Sequence, residues 1–261
     1  MHGNCPPIPA LTLGIPCLGL DRDNRLRTSS LGRVFLCWAS FCYRVRGDIN
    51  NQDVAMALTC KDLVKIHAEA WQRATVHPFL TGCQQGTITA TQFNTWLVQD
   101  YLFVKDFTRM VGKMLTAAPD HHLDVLLAGL VALKDELVWF QAKAEERGLT
   151  LRAPCQVTCA QYGDFMAGLV LEPYPVQAAA LWAIEAAYNQ GWQNPGPMPA
   201  PYTEFADRWG NIGFTDYVKL LATQADEVLS QASDHTQALT STTFLRIANL
   251  ETAFWQMAFA A

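Results

Sequence analysis

The sequence lacks most features that announce a chemistry. It has no CxxC pair, and its longest apolar candidate, Val34 to Tyr43, is interrupted by Ser40. That run is far short of the roughly 20 residues that span a bilayer. Charge is also sparse: Asp, Glu, Lys and Arg make up 16% of the 261 residues, and the net charge is −5. Nucleic-acid binding needs a basic face that this balance does not supply. Neither nucleic acid nor a membrane is therefore an expected partner. What is abundant is apolar surface, half of all residues, enough for a sizeable core.

The eight cysteines are Cys5, Cys17, Cys37, Cys42, Cys60, Cys83, Cys155 and Cys159. Cys155 and Cys159 are four apart, but no nearby His or second pair completes a zinc site. In a chain of this length such cysteines read as reduced thiols of an intracellular protein, cytoplasmic by default. The first 55 residues carry six Arg, no Lys and the turn-rich stretch "NCPPIPALTLGIP". An Arg-rich, acid-poor start suits an organelle transit segment. Asp21, Asp23 and Asp48 and the low serine content count against it. The division expected is an N-terminal extension, 1–57, disordered or targeting, followed by one domain, 58–261. Import into an organelle through the extension is the alternative to a cytoplasmic location.

From Thr59 onward the signals are helical and strand signals are few. Thr59-x-x-Asp62, Thr89-x-x-Gln92 and Thr158-x-x-Gln161 have the capping-box pattern, in which two side chains satisfy free backbone donors. Pro175 suits a first helical turn. The expected helices are 59–76, 89–116, 121–147, 158–171, 175–192, 212–232 and 239–259. The breaks "TGCQQG", "AAPD", "ERGLTLRAP", "LEPYP" and "QNPGPMPAPY" separate them. The fold class is all-α, a helical bundle.

Four of these helices have an acid inside their apolar stripe. Phe93, Trp96, Phe103 and Phe107 recur at steps of three and four, and the position the rhythm needs next is Asp100. Glu251 interrupts Phe244, Ile247, Phe254 and Ala258. Glu185 interrupts Ala178, Leu181, Tyr188 and Trp192, and Glu136 interrupts Leu126, Gly129, Leu133 and Phe140. Each acid falls on the face that packs inward. An unpaired buried carboxylate costs several kcal/mol or shifts its pKa strongly. One resolution is a shared cavity. The other is that each acid lies at the edge of its stripe and reaches water; Lys134 and Asp135 make Glu136 the weakest of the four. Aromatics gather at the same places (Trp96, Tyr101, Phe103, Trp139, Tyr162, Trp182, Tyr188, Trp255), and some of them can form a slot for a flat ring.

A carboxylate-bridged metal pair in a bundle draws Glu-x-x-His from two helices. None of the four acids has His three residues later, and His67, His77, His121, His122 and His235 are scattered. No metal is expected. His77 is expected to anchor a loop and Trp209 to be core. Acid–base work on a nitrogen heterocycle fits better: one carboxyl holds an amino group and ring nitrogen, a second moves protons, and no cofactor is needed.

The segments "WLVQDYLFVKDFTRMV", "LKDELVWFQ", "LWAIEAAY", "DRWGNIGF" and "LETAFWQMA" occur in order over about residues 60–259. Together they resemble the TenA, or thiaminase II, family, and most its plant-type branch without the active-site cysteine. The resemblance implies a helical bundle of the haem-oxygenase type. It also implies hydrolysis of formylaminopyrimidine and of aminopyrimidine to hydroxymethylpyrimidine, in salvage of the thiamin pyrimidine. By that resemblance Asp100 grips the pyrimidine's amino group and ring nitrogen, and Glu251 is the acid–base residue. Tyr162 matches a pocket tyrosine, and Phe103 stands where many members have tyrosine. "LWAIEAAYNQ" falls where other members carry a nucleophilic cysteine; here its polar groups are Glu185 and Tyr188. Glu185 is thus a second catalytic candidate, with Tyr188, Glu136 and Trp139 completing the substrate-binding set. Family members assemble as dimers or tetramers, so a homo-oligomer is implied. The rival reading is a bundle that binds the pyrimidine and turns nothing over.

Overall fold

The computed structural model describes residues 57–261. The 1–57 extension, including the Val34 to Tyr43 run and four of the cysteines, therefore lies, but for its last residue, outside the described residues. Ten α-helices follow one another: α1 Cys60–Ile66, α2 Ala68–Thr75, α3 Pro78–Gln85, α4 Ala90–Met114, α5 Leu123–Glu146, α6 Val157–Leu169, α7 Tyr174–Gln193, α8 Thr203–Gly210, α9 Ile212–Leu229 and α10 Asp234–Phe259. A 3₁₀ turn, Asp120–His122, leads into α5. There is no strand among the described residues. No helix among them is long and apolar enough to cross a membrane.

The bundle is organised around α7, which packs against α2, α8, α9 and α10. Every residue from Val176 to Asn189 is buried. A helix buried all round must be small or apolar on every face, and "VQAAALWAIEAA" meets that need with alanines. Helix α4 packs against α5, α6 and α10. The centre is aromatic: the Trp96 indole lies 5.3 Å from that of Trp192, and Phe93 meets Phe205 edge-on at 4.8 Å. The polar ends of several aromatic rings here are satisfied, as burial favours, although the buried Trp192 Nε1 has no partner within the protein. Trp71 Nε1 donates to Gln190 Oε1 at 2.9 Å, and Trp255 Nε1 donates to the Ala74 carbonyl at 3.0 Å.

The capping signals act at two of the three expected places. Thr89 and Gln92 form the reciprocal box at the start of α4, and Thr59 accepts from the Asp62 amide. The Thr158 box does not form: α6 begins one residue earlier, at Val157, so Thr158 is already helical. Pro175 sits in the first turn of α7 as expected. The helix expected over 59–76 is two helices broken at His67, whose Nε2 bonds the Ser241 hydroxyl at 2.8 Å and whose ring stacks on Phe244. Two short helices were not expected. In α3, His77 is the cap, its Nδ1 accepting from the Phe79 amide at 3.1 Å, and Gly86 ends the helix at φ 68°. "TGCQQG" is therefore mostly helix, with only its final glycine acting as the stop. In α8 the eight residues after the proline-rich stretch form a helix that closes over one side of the bundle.

Candidate active site

A cavity of about 730 Å³ opens among α4, α5, α7, α8 and α9. Six of the eight expected site residues line it: Asp100, Phe103, Glu136, Trp139, Glu185 and Tyr188. The three-four rhythm of each stripe brings one acid inward from α4, α5 and α7, and the three helices converge on the same space. Asp100 is 1% exposed, and neither of its carboxyl oxygens closes a well-formed hydrogen bond within the protein, although the Tyr188 hydroxyl stands close enough to act on it as a donor. Buried polar groups are nearly always bonded, so a pair of bare carboxyl oxygens in an aromatic wall marks a place for a ligand.

Burial pushes the Asp100 carboxyl well above the usual carboxylate range. The neighbouring Tyr188 hydroxyl draws it partly back, and the charges of Glu136 and Glu251 push it further up. Tyr188 is itself fixed, accepting from Trp96 Nε1 at 3.0 Å. Glu185 is also raised by burial, then by Glu136 and Glu251, while Tyr217 opposes the shift. Glu136 retains some exposure along the cavity it lines. Burial lifts it to about 7 against the pull of the Arg208 guanidinium.

Glu251 and Tyr162 do not line this cavity. They form a closed pair close to it, the Tyr162 hydroxyl donating to Glu251 Oε1 at 2.5 Å. The Tyr162 ring lies 4.8 Å from that of Phe103, which does line the cavity. Burial raises Glu251 to about 8, although the Tyr162 bond lowers it. The pair still acts on the cavity, because the Glu251 charge shifts Asp100, Glu185 and Tyr188.

Three wall residues, Tyr217, Arg208 and Asn211, escape a reading of the apolar stripes. Tyr217 on α9 reaches Glu185, and its hydroxyl lies where a side chain on Gly129 would be: a Cβ there would stand 2.6 Å from that oxygen. Gly129 is thus the gap in α5 that admits the phenol. Arg208 lies with its guanidinium carbon 4.5 Å above the Trp139 ring, and its buried Nε has no partner. Asn211 holds the junction that presents α8: its Oδ1 accepts from the Phe214 amide, and its Nδ2 donates to the carbonyls of Asp207 and Arg208. Lys143 bonds Glu204 at 3.0 Å and so ties α5 to α8 beside the opening. Trp209, expected as core, is 2% exposed and also lines the cavity, meeting Trp139 edge-on at 5.6 Å.

No described cysteine lines the cavity. Burial pushes the Cys83 thiol up to about 12 and raises Cys60 and Cys159 as well, the opposite of what a nucleophilic thiolate needs. The one grouping of three ligand-type side chains with close atoms among the described residues lies elsewhere, at His121, His122 and Glu227.

A "Probable bifunctional TENA-E protein" of Glycine max is 32% identical over 209 residues, covering 74% of this chain and 90% of the relative. An "Aminopyrimidine aminohydrolase" of Halalkalibacterium halodurans is 25% identical over 202 residues, covering 72% of this chain and 90% of that protein. The crystal structure of a TenA homologue from Pyrococcus furiosus superposes with a TM-score of 0.73 at 26% identity, over 76% of this chain and 98% of that one. The model of the TENA/THI-4/PQQC family matches residues 65–261, and the chain belongs to that family.

Proposed function

We propose that the protein hydrolyses the pyrimidine half of degraded thiamin, converting formylaminopyrimidine, aminopyrimidine or both to hydroxymethylpyrimidine without a cysteine nucleophile. The observation that carries this reading is Asp100, buried and raised in pKa with both oxygens bare. A protonated carboxyl is one donor and one acceptor on adjacent atoms. The edge of a 4-aminopyrimidine is the complement, a ring nitrogen that accepts and an amino group that donates. Burial that holds the proton on Asp100 therefore suits it to this edge, with the Trp139 and Tyr188 rings as apolar walls. The name of the Halalkalibacterium relative, an aminopyrimidine aminohydrolase, supports the same substrate class.

The chemistry follows from the acids that remain. A water molecule is the nucleophile. For the formyl compound it adds to the carbonyl carbon, the C–N bond breaks, and formate and the free amine leave. For the amine it attacks the methylene carbon, the C–N bond breaks, and the nitrogen departs as ammonia once protonated. Glu185 faces the cavity and, held protonated by burial, takes the proton of the water on its free oxygen as it gives up its own toward the departing nitrogen. Glu251, protonated at neutral pH by virtue of a pKa near 8, is the proton store for the departing nitrogen. The test is an end-point assay of the purified chain with each substrate, products separated by chromatography, Glu251→Gln run alongside. Product from the wild type and not from the variant supports the reading. No product from either substrate, with thermal stabilisation by the pyrimidine, would make the cavity a binding site only.

A further inference from the structure

We propose that His121, His122 and Glu227 form a binding site for a first-row transition ion of the zinc class, fastening the start of α5 to the end of α9. The three side chains come from distant places, two from the 3₁₀ turn before α5 and one from the last turns of α9. Consecutive residues of a 3₁₀ turn point roughly 120° apart, so adjacent histidines in one would ordinarily diverge. Here the two rings meet with centroids 4.5 Å apart, and both turn Nε2 toward the same carboxylate. One potential ligand atom from each side chain lies within 4.8 Å of the other two.

The distances are within reach of a shared ion. His121 Nε2 is 2.7 Å from Glu227 Oε1, an ordinary hydrogen bond. His122 Nε2 is 3.4 Å from Glu227 Oε2, long for a hydrogen bond. Bonds of about 2.0–2.2 Å at tetrahedral angles hold two ligands roughly 3.4 Å apart. The second separation already matches, and the first opens by only about 0.7 Å to do so. His122 is 1% exposed, and its Nδ1 bonds the Tyr174 hydroxyl at 3.0 Å. A polar partner on the far ring nitrogen is the support that metal-bound histidines have. Two imidazoles and one carboxylate suit zinc, nickel or cobalt rather than magnesium or calcium, which take oxygen ligands. His121 and Glu227 are open to solvent, which leaves a fourth position for water.

The site is separate from the cavity, but α5 carries Gly129 and Glu136 and α9 carries Tyr217, so a clip here holds together two walls of it. The test is calorimetric titration of the full chain, chelator-treated and dialysed, with zinc chloride, and absorption spectroscopy with cobalt chloride. The expected result is one ion per chain with Kd below about 10 µM, a visible four-coordinate cobalt band, and a rise in thermal midpoint with zinc. His121→Ala and Glu227→Gln, both at exposed positions, should each weaken binding by more than about tenfold and abolish the cobalt band, with Tyr174→Phe weakening it less. No binding at about 100 µM zinc, or equal affinity in the wild type and both ligand variants, would overturn the proposal.

Discussion

On the α4 side of the bundle, Asp100 faces a cavity with neither oxygen bonded; on the α10 side, Glu251, equally buried, takes a hydroxyl from Tyr162. Both acids occupy the inward position of an aromatic stripe, and burial raises the pKa of both. The difference lies in what satisfies them. Glu251 is completed by its own protein. Asp100 has only the nearby Tyr188 hydroxyl, which acts on it without closing a well-formed bond, and a buried carboxyl left short of partners costs several kcal/mol that packing elsewhere must offset. A fold tolerates that cost where a ligand removes it. Burial alone therefore does not mark the recognition group; burial without a partner does.

The largest expected effect breaks the closed side. Glu251→Gln keeps an oxygen to accept the Tyr162 hydroxyl, so the fold should stand, while loss of the ionisable proton lowers turnover by about 10²–10⁴-fold. Steady-state rates and a thermal melt on the same sample measure the two separately.

The next concerns pH. Glu251 near 8 and Glu136 near 7 both exceed their ordinary value of 4.5. Between about pH 4.5 and 8 the folded state therefore holds more protons than the unfolded state. The stabilisation from these protons is complete below about 4.5 and is lost as pH rises through the folded values. The unfolding free energy from urea titrations should fall across this window, by up to about 1.4 kcal/mol per pH unit for each group. Glu251→Gln should flatten that slope; an unchanged slope in the variant would remove Glu251 as its source.

Gly129→Ala sharpens the comparison from the open side. The new methyl displaces the Tyr217 hydroxyl. The gain of about 0.5–1 kcal/mol from replacing a helical glycine offsets much of an overpacking cost of about 1–3 kcal/mol. Stability should thus change little while pyrimidine affinity, measured by calorimetry, drops by about tenfold. Arg208→Met has the smallest effect: loss of a cation–π contact worth about 0.5–1 kcal/mol should raise KM roughly two- to five-fold. The apparent pKa from Glu136 should also move up, since Arg208 now holds it down.

The same contrast shows what a sequence reveals. The acids of α4, α5 and α7 are legible because a break in a 3.6-residue rhythm is a local signal, and helices that share a core turn those positions toward one another. Tyr217, Arg208 and Asn211 are not legible in this way. They enter the cavity through α8 and its junction with α9, and the path of those segments is set by side-chain-to-carbonyl bonds from Asn211 and Asn189. Gly129 leaves a faint trace as a glycine inside an apolar stripe. The breaks at His67 and before α3 escape for a similar reason: a histidine tied to α10 in one case and a histidine cap in the other determine the backbone. His121 and His122 are adjacent in sequence, but nothing local points to Glu227.

The most direct measurement is pyrimidine binding by isothermal calorimetry to the wild type and to Asp100→Asn at neutral pH. Hydrogen bonds of the kind Asp100 offers are worth about 1.5–3 kcal/mol. The account predicts that the variant binds roughly 10- to 100-fold more weakly while its thermal midpoint is unchanged or higher. Equal affinity in the two proteins would contradict it, for Asp100 would then be buried and bare without serving a ligand.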